Sequence, residues 1–308
     1  DNSYYRSLNP LLPMKAVILA GGYGTRLSEE TGVRPKPMVE VGPRPILWHI
    51  MKIYAHYGVT DFIICCGYKG YVIKEYFYHY HLLNADITVD LSTRTTTFLN
   101  DSTEPWTLSL IDTGSGTLTG GRLKRVSHLL DDEPFFFTYG DGVANVDISA
   151  SLAFHKQNGL LATMTAVQPP GRFGTFTLTP NSVVERFREK PQGNDAWING
   201  GFFVLDPAVI DYIDGDDTTW ERDPLERLAR EDQLAAYQHD GFWHPMDTLK
   251  DKNTLNDLWD GPTTAPWAVW SDSVEAPSPH KEGNSSSSPQ RNDAPSTHAL
   301  SYAADSAS

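Results

Sequence analysis

The residues best suited to do chemistry begin with a glycine-rich turn near the start of this 308-residue chain. The apolar run Lys15-Ala16-Val17-Ile18-Leu19-Ala20 passes directly into Gly21-Gly22-Tyr23-Gly24-Thr25-Arg26-Leu27. Such a turn exposes backbone N–H groups to an anion, its glycines permit close approach, and Arg26 adds a guanidinium fork that fits phosphate oxygens. Taken alone, the loop is equally well a simple tight turn. Downstream, Arg34-Pro35-Lys36-Pro37-Met38 holds a lysine between two prolines, which stiffen the backbone and aim the ammonium. A solitary lysine is ordinarily a solvated surface charge, and its company with the glycine turn favours an anion-directed role. Two rival loops fail on the letters. The dinucleotide fingerprint matches only as Gly22-x-Gly24-x-x-Leu27, with Cys66-Gly67 where an acidic ribose ligand would stand, and G-x-x-x-x-G-K-[ST] has no match.

Further along, Asp141 lies between Gly140 and Gly142 after the apolar run Phe135 to Tyr139, at the edge where α/β sheets bind ligands. Asp247 stands in Trp243-His244-Pro245-Met246-Asp247-Thr248, just before a helical stretch. Their ordinary readings are a turn residue and a helix N-cap. Glu189-Lys190-Pro191 repeats the device of a proline-fixed lysine, with an exposed ion pair as its alternative. Asn199-Gly200-Gly201 would admit a ligand close to the backbone, or mark a hairpin turn. Trp220 and Trp243 could stack on a sugar ring, although filling the core is the preferred reading. The cluster Arg122, Lys124, Arg125 would ordinarily be a solvated helix face. Cys65 and Cys66, the only cysteines, should alternate across a strand as reduced packing residues.

To position these groups the chain alternates strand-like and helix-like stretches, the pattern of an α/β domain with a largely parallel sheet. Strands are expected at 15–20, 61–66, 85–91, 107–111 and 134–139, then 161–167, 174–178 and 183–188 as a meander, and 197–205. Helices are expected at 45–57, 71–80, 121–130, 207–213, 223–231 and 249–259. Residues 1–13 read as an N-terminal extension, 14–270 as the folded domain, and 271–308, rich in Ser, Pro, Asn and Ala, as a disordered tail. A net charge of −14 argues against nucleic-acid and membrane-surface binding, so any phosphate site must be a local device. No apolar run nears the roughly 20 residues that cross a bilayer, and no secretory signal is evident, so a cytoplasmic placement is expected.

The stretch from Lys15 to Leu27, followed by Arg34-Pro35-Lys36-Pro37-Met38 and Pro45-Ile46-Leu47, resembles the signature of the sugar nucleotidyltransferases. Ser28-Glu29-Glu30-Thr31, Trp48-His49-Ile50-Met51, the segment from Phe62 to Gly70 and that from Thr119 to Val126 look like the branch that uses CTP and glucose 1-phosphate. The resemblance covers about residues 14–270. It implies a Rossmann-like mixed, mostly parallel sheet flanked by helices, the nucleotide-diphospho-sugar transferase fold. It implies a nucleotide site built from Leu19, Ala20, Gly21, Gly22, Tyr23, Gly24, Thr25, Arg26, Lys36, Thr117, Arg122 and Gly140, with Arg26 and Lys36 catalytic. Asp141 and Asp247 would hold magnesium, which suits hard oxygen ligands and nucleotide phosphates. Glu189, Lys190, Asn199 and Gly200 would meet the sugar phosphate. A homo-oligomer is also implied. A thymidylyl- or uridylyltransferase, or a nucleotide-sugar binding module without turnover, are the alternatives.

Overall fold

Short apolar runs build the strands β1 (Lys15–Ala20), β2 (Asp61–Cys66), β3 (Thr107–Asp112), β4 (Phe135–Tyr139), β5 (Gly142–Ala144), β6 (Ala162–Val167), β7 (Ile198–Leu205), β8 (Leu234–His239) and β9 (Trp243–Pro245). They are seen in a computed structural model of the chain that describes residues 14–100, 103–169, 175–178, 184–188 and 197–273. Residues 1–13, and 274–308 of the expected tail, lie outside the described residues. Seven strands form one sheet in the order β8-β6-β7-β4-β1-β2-β3. β3, β2, β1 and β4 run parallel, whereas β7 is antiparallel to both β4 and β6. β6 and β8 are again parallel, so the sheet is the mixed, mostly parallel one expected.

Helices cover both faces, which explains why β1 and β2 read as unbroken apolar runs with every residue after the first buried. Period-two alternation assigns the side chains. Val17, Ile63, Phe137 and Phe203 join one core with Leu123, Trp220 and Leu228. On the other face Tyr54 sets its ring against Phe136 and Phe202, at 5.4 and 6.1 Å between centroids. The helices are α1 (Ile46–His56), α2 (Gly70–Tyr78), α3 (Thr119–Val126), α4 (Ile148–Asn158), α5 (Asp223–Arg230) and α6 (Leu249–Trp259). Cys65 belongs to the first core and Cys66 is likewise buried. Burial raises both thiols, Cys66 to about 11, so neither is a reactive thiolate near neutral pH.

Two expectations need correction. The segments around 162–167, 175–178 and 184–188 are not a meander: among the described residues β6 pairs with β7 and β8, and the strands Thr175–Leu178 and Val184–Arg188 pair with each other. Pro207–Tyr212 is a 3-10 turn instead of an α-helix, capped by Asp206, whose carboxylate accepts from Ala208 N at 2.9 Å. Helix α4 and strand β8 belong to the sheet framework and were not expected. Among the described residues, 75–100 and 103–104 belong to a second unit, separate from the sheet. In it the helix Tyr80–Asn84 precedes a hairpin of Ile87–Asp90 and Thr95–Phe98, and Tyr80 Oη donates to Glu104 at 2.6 Å. No helix among the described residues is long and apolar enough to cross a membrane.

Candidate active site

Parallel register brings four loops to one edge of the sheet. Ala20 is paired with Cys66, Cys66 with Asp112, and Leu19 with Tyr139, so the segments after β1, β2, β3 and β4 leave side by side at the carboxyl ends of their strands. The glycine turn adopts the shape that its letters permit. Gly24 has φ of 63°, a value disfavoured for a residue with a Cβ, and a Cβ there would also press on the side chains of Thr31 and Lys36. Thr31 Oγ1 closes the turn by donating to Gly24 O at 3.2 Å and Leu27 O at 3.1 Å.

Arg122 holds this edge together. Its side chain rises from α3 into the gap between loops and donates to Gly21 O at 3.0 Å, Thr113 Oγ1 at 2.7 Å and Gly114 O at 2.7 Å. A Cβ on Gly21 or on Gly67 would run into the guanidinium, which is why both positions are glycine. Burial lowers the Arg122 pKa from its usual value. The basic cluster therefore divides. Arg125 makes a two-point pair with Asp216 at 2.8 and 2.5 Å, Lys124 donates to the carbonyls of Ile213 and Asp214, and only Arg122 reaches the site.

Lys36 carries the centre of the arrangement. Its backbone enters a 3-10 turn (Lys36–Met38) from Pro35 in extended conformation, and its Nζ donates to Asp141 Oδ2 at 2.6 Å and Asp247 Oδ1 at 2.6 Å. Arg26 Nη1 meets the other oxygen of Asp247 at 2.8 Å. Burial alone would lower the Lys36 ammonium; Asp141 and Asp247 outweigh it and hold the pKa above the ordinary lysine value. The two aspartates, 106 positions apart in sequence, meet because their flanks are zipped. β5 pairs antiparallel with β9, and Met246 N donates to Asp141 O at 2.8 Å. Asp247 is not the N-cap of α6: Thr248 is, in a capping box with Asp251, whose carboxylate also accepts from Asp247 N at 3.1 Å. The Asp247 carboxylate is thus left to face Lys36.

Two cavities meet at this cluster. The first, about 480 Å³, is lined by Leu19 through Arg26, Lys36, Thr117, Arg122, Gly140 and Asp141, which includes every nucleotide-site residue expected from sequence. The second, about 750 Å³, is lined by Asn199, Gly200, Trp243, Asp247 and again Arg26 and Asp141. Glu189 and Lys190 lie outside the described residues. Asn199 spends polar groups internally, donating to Tyr139 Oη at 3.1 Å and accepting from Gly201 N at 2.8 Å. Trp243 Nε1 donates to Gly200 O at 2.8 Å, whereas Trp220 is fully buried in the core. Tyr139 lines both cavities, Glu221 and Ser115 the first, His244 and Lys250 the second, and none was anticipated. Tyr139 was legible as the residue just before Gly140-Asp141; Glu221 carried no signal.

Asp141 and Asp247, which share the Lys36 ammonium, are a pair of hard carboxylates that could hold a divalent ion. Among the described residues no group of three or more His, Cys, Asp or Glu is placed to hold a metal, so phosphates and water would supply the remaining ligands.

Residues 15–272 match the nucleotidyl transferase family. The chain is 58% identical over 258 residues to glucose-1-phosphate cytidylyltransferase of Salmonella typhimurium and equally to that of Salmonella typhi, covering 83% of this chain and 100% of each relative. Among solved structures, HddC from Yersinia pseudotuberculosis complexed with GMP-PN superposes with a TM-score of 0.58 at 21% identity, covering 79% of this chain and 98% of that one, a likeness of fold. A family match over residues 15–272 and 58% identity to these relatives show that the chain belongs to the nucleotidyl transferase family.

Proposed function

We propose that the protein transfers the cytidylyl group of CTP to glucose 1-phosphate, giving CDP-glucose and pyrophosphate. The observation that carries this reading is the position of Lys36, Asp141, Asp247 and Arg26 where the two cavities join. The glycine-lined cavity takes the triphosphate, the cavity beside Asn199 and Trp243 takes the sugar phosphate, and the α-phosphorus lies at the junction. The choice of cytosine and glucose follows the two Salmonella relatives, whose whole length this chain matches at 58% identity.

An oxygen of the sugar phosphate attacks the α-phosphorus in line, and the bond to the bridging oxygen of the departing pyrophosphate breaks. That phosphate oxygen is already ionised near neutral pH, so no protein base is needed. The backbone N–H groups of the Gly21–Thr25 turn receive the phosphates, and the Arg26 and Lys36 cations offset charge on the triphosphate as the transition state forms. Lys190 would orient the attacking phosphate, with Glu189 and Asn199 beside the sugar hydroxyls. Asp141 and Asp247 would hold magnesium, which supplies Lewis-acid neutralisation of the phosphates when bound. A homo-oligomer and a cytoplasmic location complete the reading.

Product formation assayed with CTP, dTTP, UTP and GTP in turn, each with glucose 1-phosphate, tests the substrate choice. CTP should be strongly preferred, and equal use of all four would contradict the assignment.

A further inference from the structure

The Lys36 ammonium sits between the two carboxylates, 2.6 Å from each. Its side chain is 9% exposed, whereas that of Arg26, the other cation on Asp247, is 72% exposed and has water as an alternative partner. Among the described residues two cations and two carboxylates meet here. A divalent ion that enters between Asp141 and Asp247 meets a resident cation, and electrostatics forbids the two from sharing the spot at that range. The backbone of Lys36 is pinned by Pro35, Pro37 and the 3-10 turn, so the displacement falls to its flexible side chain. Lys36 lines the glycine-rich cavity, which is where a displaced ammonium finds a new anion.

We infer that Lys36 is an internal counter-cation that keeps the metal site closed until nucleotide arrives: the metal takes the two aspartates only as the triphosphate takes Lys36. The inference rests on the metal reading proposed above. It gives Lys36 two successive partners and makes metal and nucleotide mutually dependent ligands, since by linkage whatever frees the aspartates for one favours the other. Metal alone binds poorly because it must strip a buried ammonium of both partners. Triphosphate alone binds poorly because Lys36 is held by the aspartates.

The test is Mn²⁺ binding followed by electron paramagnetic resonance, without nucleotide, on the wild type and on Lys36→Met and Lys36→Gln, each checked by circular dichroism and thermal melting. The variants should bind Mn²⁺ at least tenfold more tightly than the wild type, although they have lost turnover. The companion measurement is CTP binding in EDTA by calorimetry. Asp247→Asn should strengthen metal-free CTP binding several-fold, and the gain should vanish in the double variant Lys36→Met/Asp247→Asn. A gain that persists there reflects simple removal of negative charge and overturns the inference. Folded variants that bind Mn²⁺ no better than the wild type overturn it as well. Absence of Mn²⁺ uptake by all proteins, together with turnover that survives chelation, overturns the metal assignment and this inference with it.

Discussion

His49 links the site's supporting elements to acid stability, and the size of the effect can be worked out. The imidazole lies fully buried on α1; Nε2 is 2.9 Å from Val41 O, and Nδ1 accepts from Trp267 Nε1 at 3.3 Å. Only the neutral tautomer with the proton on Nε2 satisfies both partners, because a proton on Nδ1 would face the indole N–H. Burial outweighs the backbone hydrogen bonds of Val41 and Arg44, which favour the charged form, and with a smaller push from the Arg44 charge lowers its pKa from 6.5 to about 4. A folded imidazole that titrates below the unfolded one stabilises fully above about pH 6.5, and that contribution is lost as pH falls toward the folded value. The loss should reach about 2 kcal/mol by pH 5 and about 3 kcal/mol near pH 4. Urea unfolding at pH 7 and pH 5 of the wild type and of His49→Gln, which keeps a donor and an acceptor, isolates this share. His155, also lowered by burial, and the carboxylates titrate in both proteins and cancel in the difference. The variant should be less stable at pH 7 and lose about 2 kcal/mol less than the wild type between the two pH values. Equal losses would refute the account of His49 as a buried neutral clamp.

Lys36→Ala should lower turnover by about 10² to 10³, the range for removing a preorganised transition-state contact, while shifting the melting temperature by much less in proportion; unchanged kcat would contradict its role. Gly21→Ala forces Arg122 out from between the loops, and steady-state kinetics should show a rise in KM for CTP larger than that for glucose 1-phosphate. Arg122→Lys, which cannot bridge Gly21 O and Thr113 Oγ1 together, should destabilise the fold by about 1 to 3 kcal/mol in chemical denaturation. CTP bearing a chiral α-phosphorothioate should give product with inverted configuration at phosphorus; retention would indicate a covalent intermediate that the mechanism lacks.

Much of the site was legible because it is built from local signals. The Gly21–Arg26 turn announces itself after an apolar strand, and the prolines around Lys36 mark a fixed side chain. That Asp141 and Asp247 share one ammonium was beyond local reading: it depends on the β5–β9 pairing and on Met246 N reaching Asp141 O. Arg122 was expected near the nucleotide, but its work on loop carbonyls follows from the depth of α3 against β1 and β2. Helix α4 was missed despite Asp147 as N-cap and Gly159 in the left-handed C-cap, because its sequence, Ile148 to Asn158, has no clear apolar stripe. The supposed meander failed because strand pairing between distant segments is set by the sheet, and β6 found β7 and β8 instead of its sequence neighbours.

The most direct measurement is pyrophosphate release from CTP and glucose 1-phosphate, with Mg²⁺ and again with excess EDTA, by the wild type and by Asp141→Asn. Release should require both substrates and the metal, and should fall steeply in the variant. Release by the wild type that persists in EDTA, or by Asp141→Asn at the wild-type rate, would contradict a reaction centred on the aspartates around Lys36.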